Sequence, residues 1–274
     1  KTFMGCRDLA SVELPESVTE IGTEAFTGCA SLRDIVVPSG VSVIKKKTYS
    51  DCTALTSISI PEGITTIRAE AFEDCTGITS VILPESLTTI EEAPFSGCNN
   101  LVEFYGKYAA EDGKYLFDGD TLLAVAPAGL TELTLPEGIT TIGEYAVGGC
   151  KQLLSITIPE GVASIGKGAF SKCEELTEIS IPTSVSYIGA EAFQLCYKLT
   201  DVTIPEGVTT IEPKTFFNCN SLKRVSIPDS VTTISDNAFS VCPSLTDITI
   251  PESVTKIGQG AFGGCKWLKE IAIP

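Results

Sequence analysis

Residues 161–168, Gly-Val-Ala-Ser-Ile-Gly-Lys-Gly, have the glycine and lysine spacing of a loop that cradles phosphates. The last position breaks the pattern: Gly168 stands where a Ser or Thr hydroxyl would hold magnesium. No pattern of a long helix follows, and other stretches of the chain carry glycine at the same places, so phosphate chemistry is not expected. The 35 acidic side chains could in principle supply a glycosidase-like carboxylate pair. Nothing singles out two of them in a pocket. Eleven cysteines could be metal ligands, but the sequence contains no CxxC pair and no histidine, and zinc needs four converging ligands. The absence of histidine also removes most serine and cysteine triads and the usual proton shuttle near neutral pH. The chain is therefore expected not to be an enzyme and to carry no catalytic residue, metal site or cofactor. A net charge of −16 opposes binding to nucleic acid or to an anionic membrane surface. No apolar run reaches the length that spans a bilayer, so no membrane insertion is expected.

The cysteines lead from chemistry to the elements that carry them. They stand at 6, 29, 52, 75 and 98, then at 150, 173, 196, 219, 242 and 265, a step of 23 residues broken once by a step of 52. Counting from each cysteine as zero, Leu recurs at +3, Ile or Val at +6, Ile or Leu at +8, Pro at +9, Val or Ile at +12, Ile at +15, and Ala-Phe at +19 and +20. Residues 52–75 show the pattern in Leu55, Ile58, Ile60, Pro61, Ile64, Ile67, Ala71, Phe72 and Cys75.

The segment from +3 to +8 is β-branched and alternates apolar with polar, the mark of a half-buried strand. Proline ends it, and the Glu-Gly or Glu-Ser that follows makes a turn. The later stretch, as in residues 189–196, is too short for a stable helix and is expected to form one helical or 3₁₀ turn. One repeat is then one coil. It leaves its apolar side chains exposed unless a neighbour covers them, so coils stack, strands join a continuous parallel sheet, and like residues become ladders. The expected fold is an α/β solenoid over residues 1–274, a single stack interrupted at about 106–130 by a β-hairpin around Asp118-Gly119-Asp120. Phe3, Phe26, Phe72, Phe95, Phe170, Phe193, Phe216, Phe239 and Phe262 form a core column, with Tyr49 and Val147 as further rungs. The cysteines are read as reduced, buried thiols hydrogen-bonded to backbone, because side chains in one ladder column point the same way and not toward each other.

The unit L-x-x-I-x-I-P-x-x-V-x-x-I-x-x-x-A-F-x-x-C resembles the BspA-like leucine-rich repeat family of bacterial surface proteins, over residues 1 to about 106 and 130–274. The resemblance implies a right-handed leucine-rich repeat coil with its parallel sheet on the concave side and short helical or 3₁₀ turns on the convex side. It further implies an extracellular or cell-surface location and adhesion to host matrix proteins such as fibronectin and fibrinogen, to host cells or to other bacteria.

Ligand contacts are expected where outward direction meets variation between coils. The +5 column supplies Glu178, Asp201, Arg224, Asp247 and Glu270 as a charged strip, whose like charges a cationic partner or a calcium ion would relieve. The +7 column beside it is mostly Ser and Thr from Thr134 to Thr249. A second acidic column after the prolines, including Glu16, Glu62 and Glu85, is read as turn and solubility chemistry. Tyr105, Tyr115 and Phe117, near the interruption, are a second candidate contact set. The expected partner is an extracellular matrix or surface protein; the alternative is a passive spacer that holds another domain away from the cell. The chain begins inside a repeat and stops at Pro274 after a strand, as a fragment of a longer protein would; its oligomeric state is open.

Overall fold

The alternating segments after each +3 leucine pair as parallel strands. In the computed structural model, which describes residues 1–272, Glu132–Thr134, Ser155–Thr157, Glu178–Ser180, Asp201–Thr203, Arg224–Ser226 and Asp247–Ile248 form a six-stranded sheet in chain order. The middle residues Leu133, Ile156, Ile179, Val202 and Val225 are buried. Their neighbours on either side point outward, as the two-residue period of a strand requires. Toward the N-terminus, Ser57–Ser59, Ser80–Leu83 and Glu103–Gly106 pair in the same way.

Most coils also make a second, two-residue strand around the +15 isoleucine. Val43–Ile44, Thr66–Ile67 and Thr89–Ile90 pair in parallel, as do Ser164–Ile165 with Tyr187–Ile188 and Thr210–Ile211 with Thr233–Ile234. The parallel solenoid is thus as expected, but it is carried by several short sheets in place of one continuous sheet. Its contacts divide it into two compact units, Lys1–Gly129 and Leu130–Pro274. The expected strand up to Pro274 falls partly outside the described residues.

The helical or 3₁₀ turns are not formed: there is no helix among the described residues. Positions +18 and +22 adopt left-handed backbone in coil after coil, as at Glu191 (φ 62°), Leu195 (φ 63°), Lys214 (φ 58°) and Asn218 (φ 61°). Two such residues within five break the run of right-handed residues that a helix needs. Alternate N–H groups turn instead toward the next coil, so that Glu191, Phe193 and Leu195 donate to the carbonyls of Pro213, Thr215 and Phe217 at 2.9–3.0 Å. The intervening N–H groups stay within the coil, with Ala192 bonded to Gly189 and Cys196 to Phe193. Val241 is the costliest occupant of this conformation, being β-branched at φ 59° and 40% exposed. Val241→Gly is expected to raise stability by about 1 kcal/mol, read as a higher urea midpoint, because it relieves left-handed strain and uncovers little apolar surface.

The core is columnar. Phe3, Phe26, Tyr49, Phe72 and Phe95 stack ring on ring at 5.2–5.5 Å in the first unit, and Phe170, Phe193, Phe216, Phe239 and Phe262 do so at 5.3–5.4 Å in the second. Beside them the thiols form their own ladder: Cys52, Cys75, Cys196 and Cys242 donate from Sγ to the carbonyls of Phe26, Tyr49, Phe170 and Phe216 at 2.9–3.2 Å. All eleven cysteines are free, with Cys6 exposed and Cys265 half-buried. Burial pushes the Cys150 and Cys196 thiols up to about 12.

Between Gly106 and Gly129, Tyr115–Asp118 and Thr121–Val125 pair antiparallel across Gly119-Asp120, with a bulge at Leu116/Phe117. Leu116 and Leu122 are fully buried and anchor this hairpin.

Candidate functional site

The strand period places the charged strip. In the Leu130–Pro274 unit, Glu178 faces Asp201, Asp201 faces Arg224, and Arg224 faces Asp247 in ladder register. All point away from the buried middle residues. Glu270 is exposed too, but lies beyond the last paired strand. The arginine interrupts the row of like charges: Arg224 Nε lies 2.5 Å from Asp201 Oδ1. Hydrogen bonds from Arg224 and then from Thr200 hold the Asp201 carboxyl below its usual range. The pair lies open to water, so it adds little to stability.

Two residues further along each strand, on the same face, Ser180, Thr203 and Ser226 carry hydroxyls beside these charges. With Asp201, Arg224, Val202 and Ile179 they line a shallow depression of about 480 Å³. A surface of fixed charges bordered by hydroxyls can hydrogen-bond a polar, charged partner along several coils at once. It does not gather metal ligands: among the described residues no group of three or more His, Cys, Asp or Glu side chains could hold a metal ion.

The aromatic candidates separate. Tyr105 stands on the outward face of Glu103–Gly106, 46% exposed and in register with Ile82. A hydrogen bond with Glu103 raises its phenol above the usual range. Tyr115 and Phe117 stack on each other at 5.6 Å on one strand of the hairpin and are half-buried.

The post-proline glutamates act within turns. Glu62 accepts the backbone N–H groups of Glu85 and Ser86 at 3.0 and 3.1 Å, which lowers its carboxyl. The stretch 161–168 also serves the coil. Gly161 (φ 102°) makes a turn, Ser164–Ile165 is a strand, and no helix follows to receive a phosphate.

Sequence reasoning missed a contrast between the units. The +7 column is hydroxylic from Thr134 to Thr249, whereas in the first unit it carries, besides Glu13 and Ser59, the apolar Val36, Ile82 and Tyr105, 75%, 47% and 46% exposed. Listing that column over its whole length, and not from Thr134 onward alone, would have found it.

The comparisons agree with this geometry. A model of the BspA type leucine rich repeat region matches in six copies, over residues 1–120, 126–243 and 187–274. No curated protein matches the chain. Among solved structures, a leucine rich cell surface protein from Faecalibacterium prausnitzii is similar with a TM-score of 0.67 and 27% identity, over 94% of this chain and 74% of that one. A leucine-rich repeat protein from Eubacterium ventriosum gives a TM-score of 0.71 and 25% identity, over 97% and 83%. With repeat, coil and matches in agreement, the chain belongs to the BspA-type leucine-rich repeat family.

Proposed function

We propose that the chain is a non-catalytic binding module of the cell surface, which presents the outward strand face of the Leu130–Pro274 unit to an extracellular protein. The observation that carries this is the in-register column Glu178, Asp201, Arg224, Asp247 beside its hydroxyl neighbours. A spacer would need the repeat framework alone, whereas here the core and turn columns repeat while the outward column changes, with one arginine set among its acids. The cell-surface description of the Faecalibacterium prausnitzii protein supports the location, and adhesion to host matrix proteins or other cells is the corresponding task.

The experiment is a binding screen of the chain against extracellular matrix proteins and surface glycans, followed by charge reversal. Glu178→Lys, Asp247→Lys and Glu270→Lys together are expected to weaken a ligand found in the screen by roughly ten-fold or more, with an unchanged thermal midpoint. Raising the salt concentration should weaken wild-type binding in the same direction. Should the triple variant bind as well as wild type while alanine at Tyr105, Tyr115 and Phe117 abolishes binding, the aromatic set is the site. A chain that binds nothing in the screen behaves as a spacer.

A further inference from the structure

In the Lys1–Gly129 unit, one pair of neighbouring coils comes apart on its strand face. Among the described residues no backbone hydrogen bond joins 33–37 to 56–60, although the preceding pair of coils is linked by Arg33 N–H to the Ala10 carbonyl and the following pair by Thr79 N–H to the Thr56 carbonyl. The sheet accordingly stops at Ser57–Ser59. The same two coils remain tied elsewhere: Thr65 N–H donates to the Ser42 carbonyl at 2.8 Å and Tyr49 N–H to the Ala71 carbonyl at 2.9 Å. The gap is therefore a slot tied on the turn side and open to the outward face. Its volume is about 330 Å³, with Ile35, Val37, Ile58, Ile60, Tyr49 and Phe72 as walls and Asp34 also in its lining.

A second, independent observation falls on the same slot. Tyr49 is the tyrosine rung in a column otherwise almost wholly phenylalanine, and its hydroxyl is buried with no hydrogen-bond partner. A phenylalanine would fill the rung without leaving a polar atom unpaired. The orphan hydroxyl thus belongs to a ring that lines the slot just where the sheet of that unit ends. An apolar pocket with one convergent polar group has the make-up of a small-ligand site. The aromatic and aliphatic walls between two stacked coils suit an apolar ring, the hydroxyl selects a ring with a hydrogen-bonding atom, and the exposed Asp34 carboxylate on a chain of net charge −16 selects against an anion.

We propose that this slot binds an aromatic amine, its ring inserted between the two coils and hydrogen-bonded to Tyr49 Oη, its ammonium group against Asp34. The site is independent of the charged strip, which lies in the other unit.

The test is calorimetric titration of the whole chain with tryptamine, indole and indole-3-propionate. Tryptamine is expected to bind more tightly than indole, and indole more tightly than indole-3-propionate. Tyr49→Phe folds on the same grounds that the other rungs do, and should weaken tryptamine and indole alike by roughly three- to ten-fold, the worth of one hydrogen bond. Asp34→Asn should bring tryptamine down to the affinity of indole and leave indole unchanged. If neither indole nor tryptamine binds saturably, the slot holds solvent alone and the proposal fails. It fails equally if both bind but neither substitution alters them, or if indole-3-propionate matches tryptamine.

Discussion

Phe193→Ala is expected to cost about 3–5 kcal/mol, the largest single-residue loss in the Leu130–Pro274 unit. The ring is fully buried and stacks on Phe170 at 5.4 Å and Phe216 at 5.3 Å, so its removal opens a cavity and breaks two ring contacts together. The loss is not local. Coils support each other only through shared faces, so a missing rung weakens the coils on both sides of it. Urea unfolding of wild type and variant would show the midpoint falling sharply. A shift worth less than 1 kcal/mol would mean that the ring column is filled but not supporting.

Alkaline pH is expected to unfold the protein through its thiols. Burial holds Cys150 and Cys196 at about 12, whereas an exposed thiol titrates near 8.5. A raised folded value means that the folded state binds the proton more tightly. The stabilisation is therefore complete below about pH 8.5 and is lost as pH climbs toward 12. For Cys150 and Cys196 that difference is worth on the order of 4 kcal/mol each across the window, and burial raises Cys75, Cys173 and Cys219 in the same direction. The two together are comparable to the roughly 5–15 kcal/mol by which domains are stable. Circular dichroism should lose its β signal cooperatively between pH 9 and 12, whereas a flat trace to pH 12 would show that the thiol ladder titrates without opening the coils.

Much of the fold was legible because its columns recur. The 23-residue step, the rings, the thiols and the +6 isoleucines are burial signals, and burial in a stack repeats without change. The turn was misread because Ala-Phe at +19 and +20 suits a helix when one coil is considered alone. Its true signal was the residue just before most of the cysteines, which is Gly at 5, 28, 97, 149 and 264, Asp at 51 and 74, and Asn at 218, the residues that best tolerate a left-handed backbone; Lys172, Leu195 and Val241 are the exceptions.

The outward direction of Glu178, Asp201, Arg224 and Asp247 followed from the two-residue strand period alone. The slot beside Tyr49 did not. It depends on pairing lost between two coils, of which the first departs from the template only at Val37, Thr48 and Tyr49, and the tyrosine in the phenylalanine column was the one hint of it.

The left-handed turns give assembly a direction in time. In the Leu130–Pro274 unit, Gly168, Phe170 and Lys172 donate to Ala190, Ala192 and Gln194, and Glu191, Phe193 and Leu195 donate in turn to the coil after them. Each coil leaves a row of donors that is satisfied only once its successor has been laid down. During synthesis from the N-terminus, the newest coil always waits with N–H groups exposed to water, and closes when the next 23 residues arrive. Folding then resembles a zipper drawn from one end. Within a stack, amide protons on these turns should gain protection from exchange coil by coil in the order of translation.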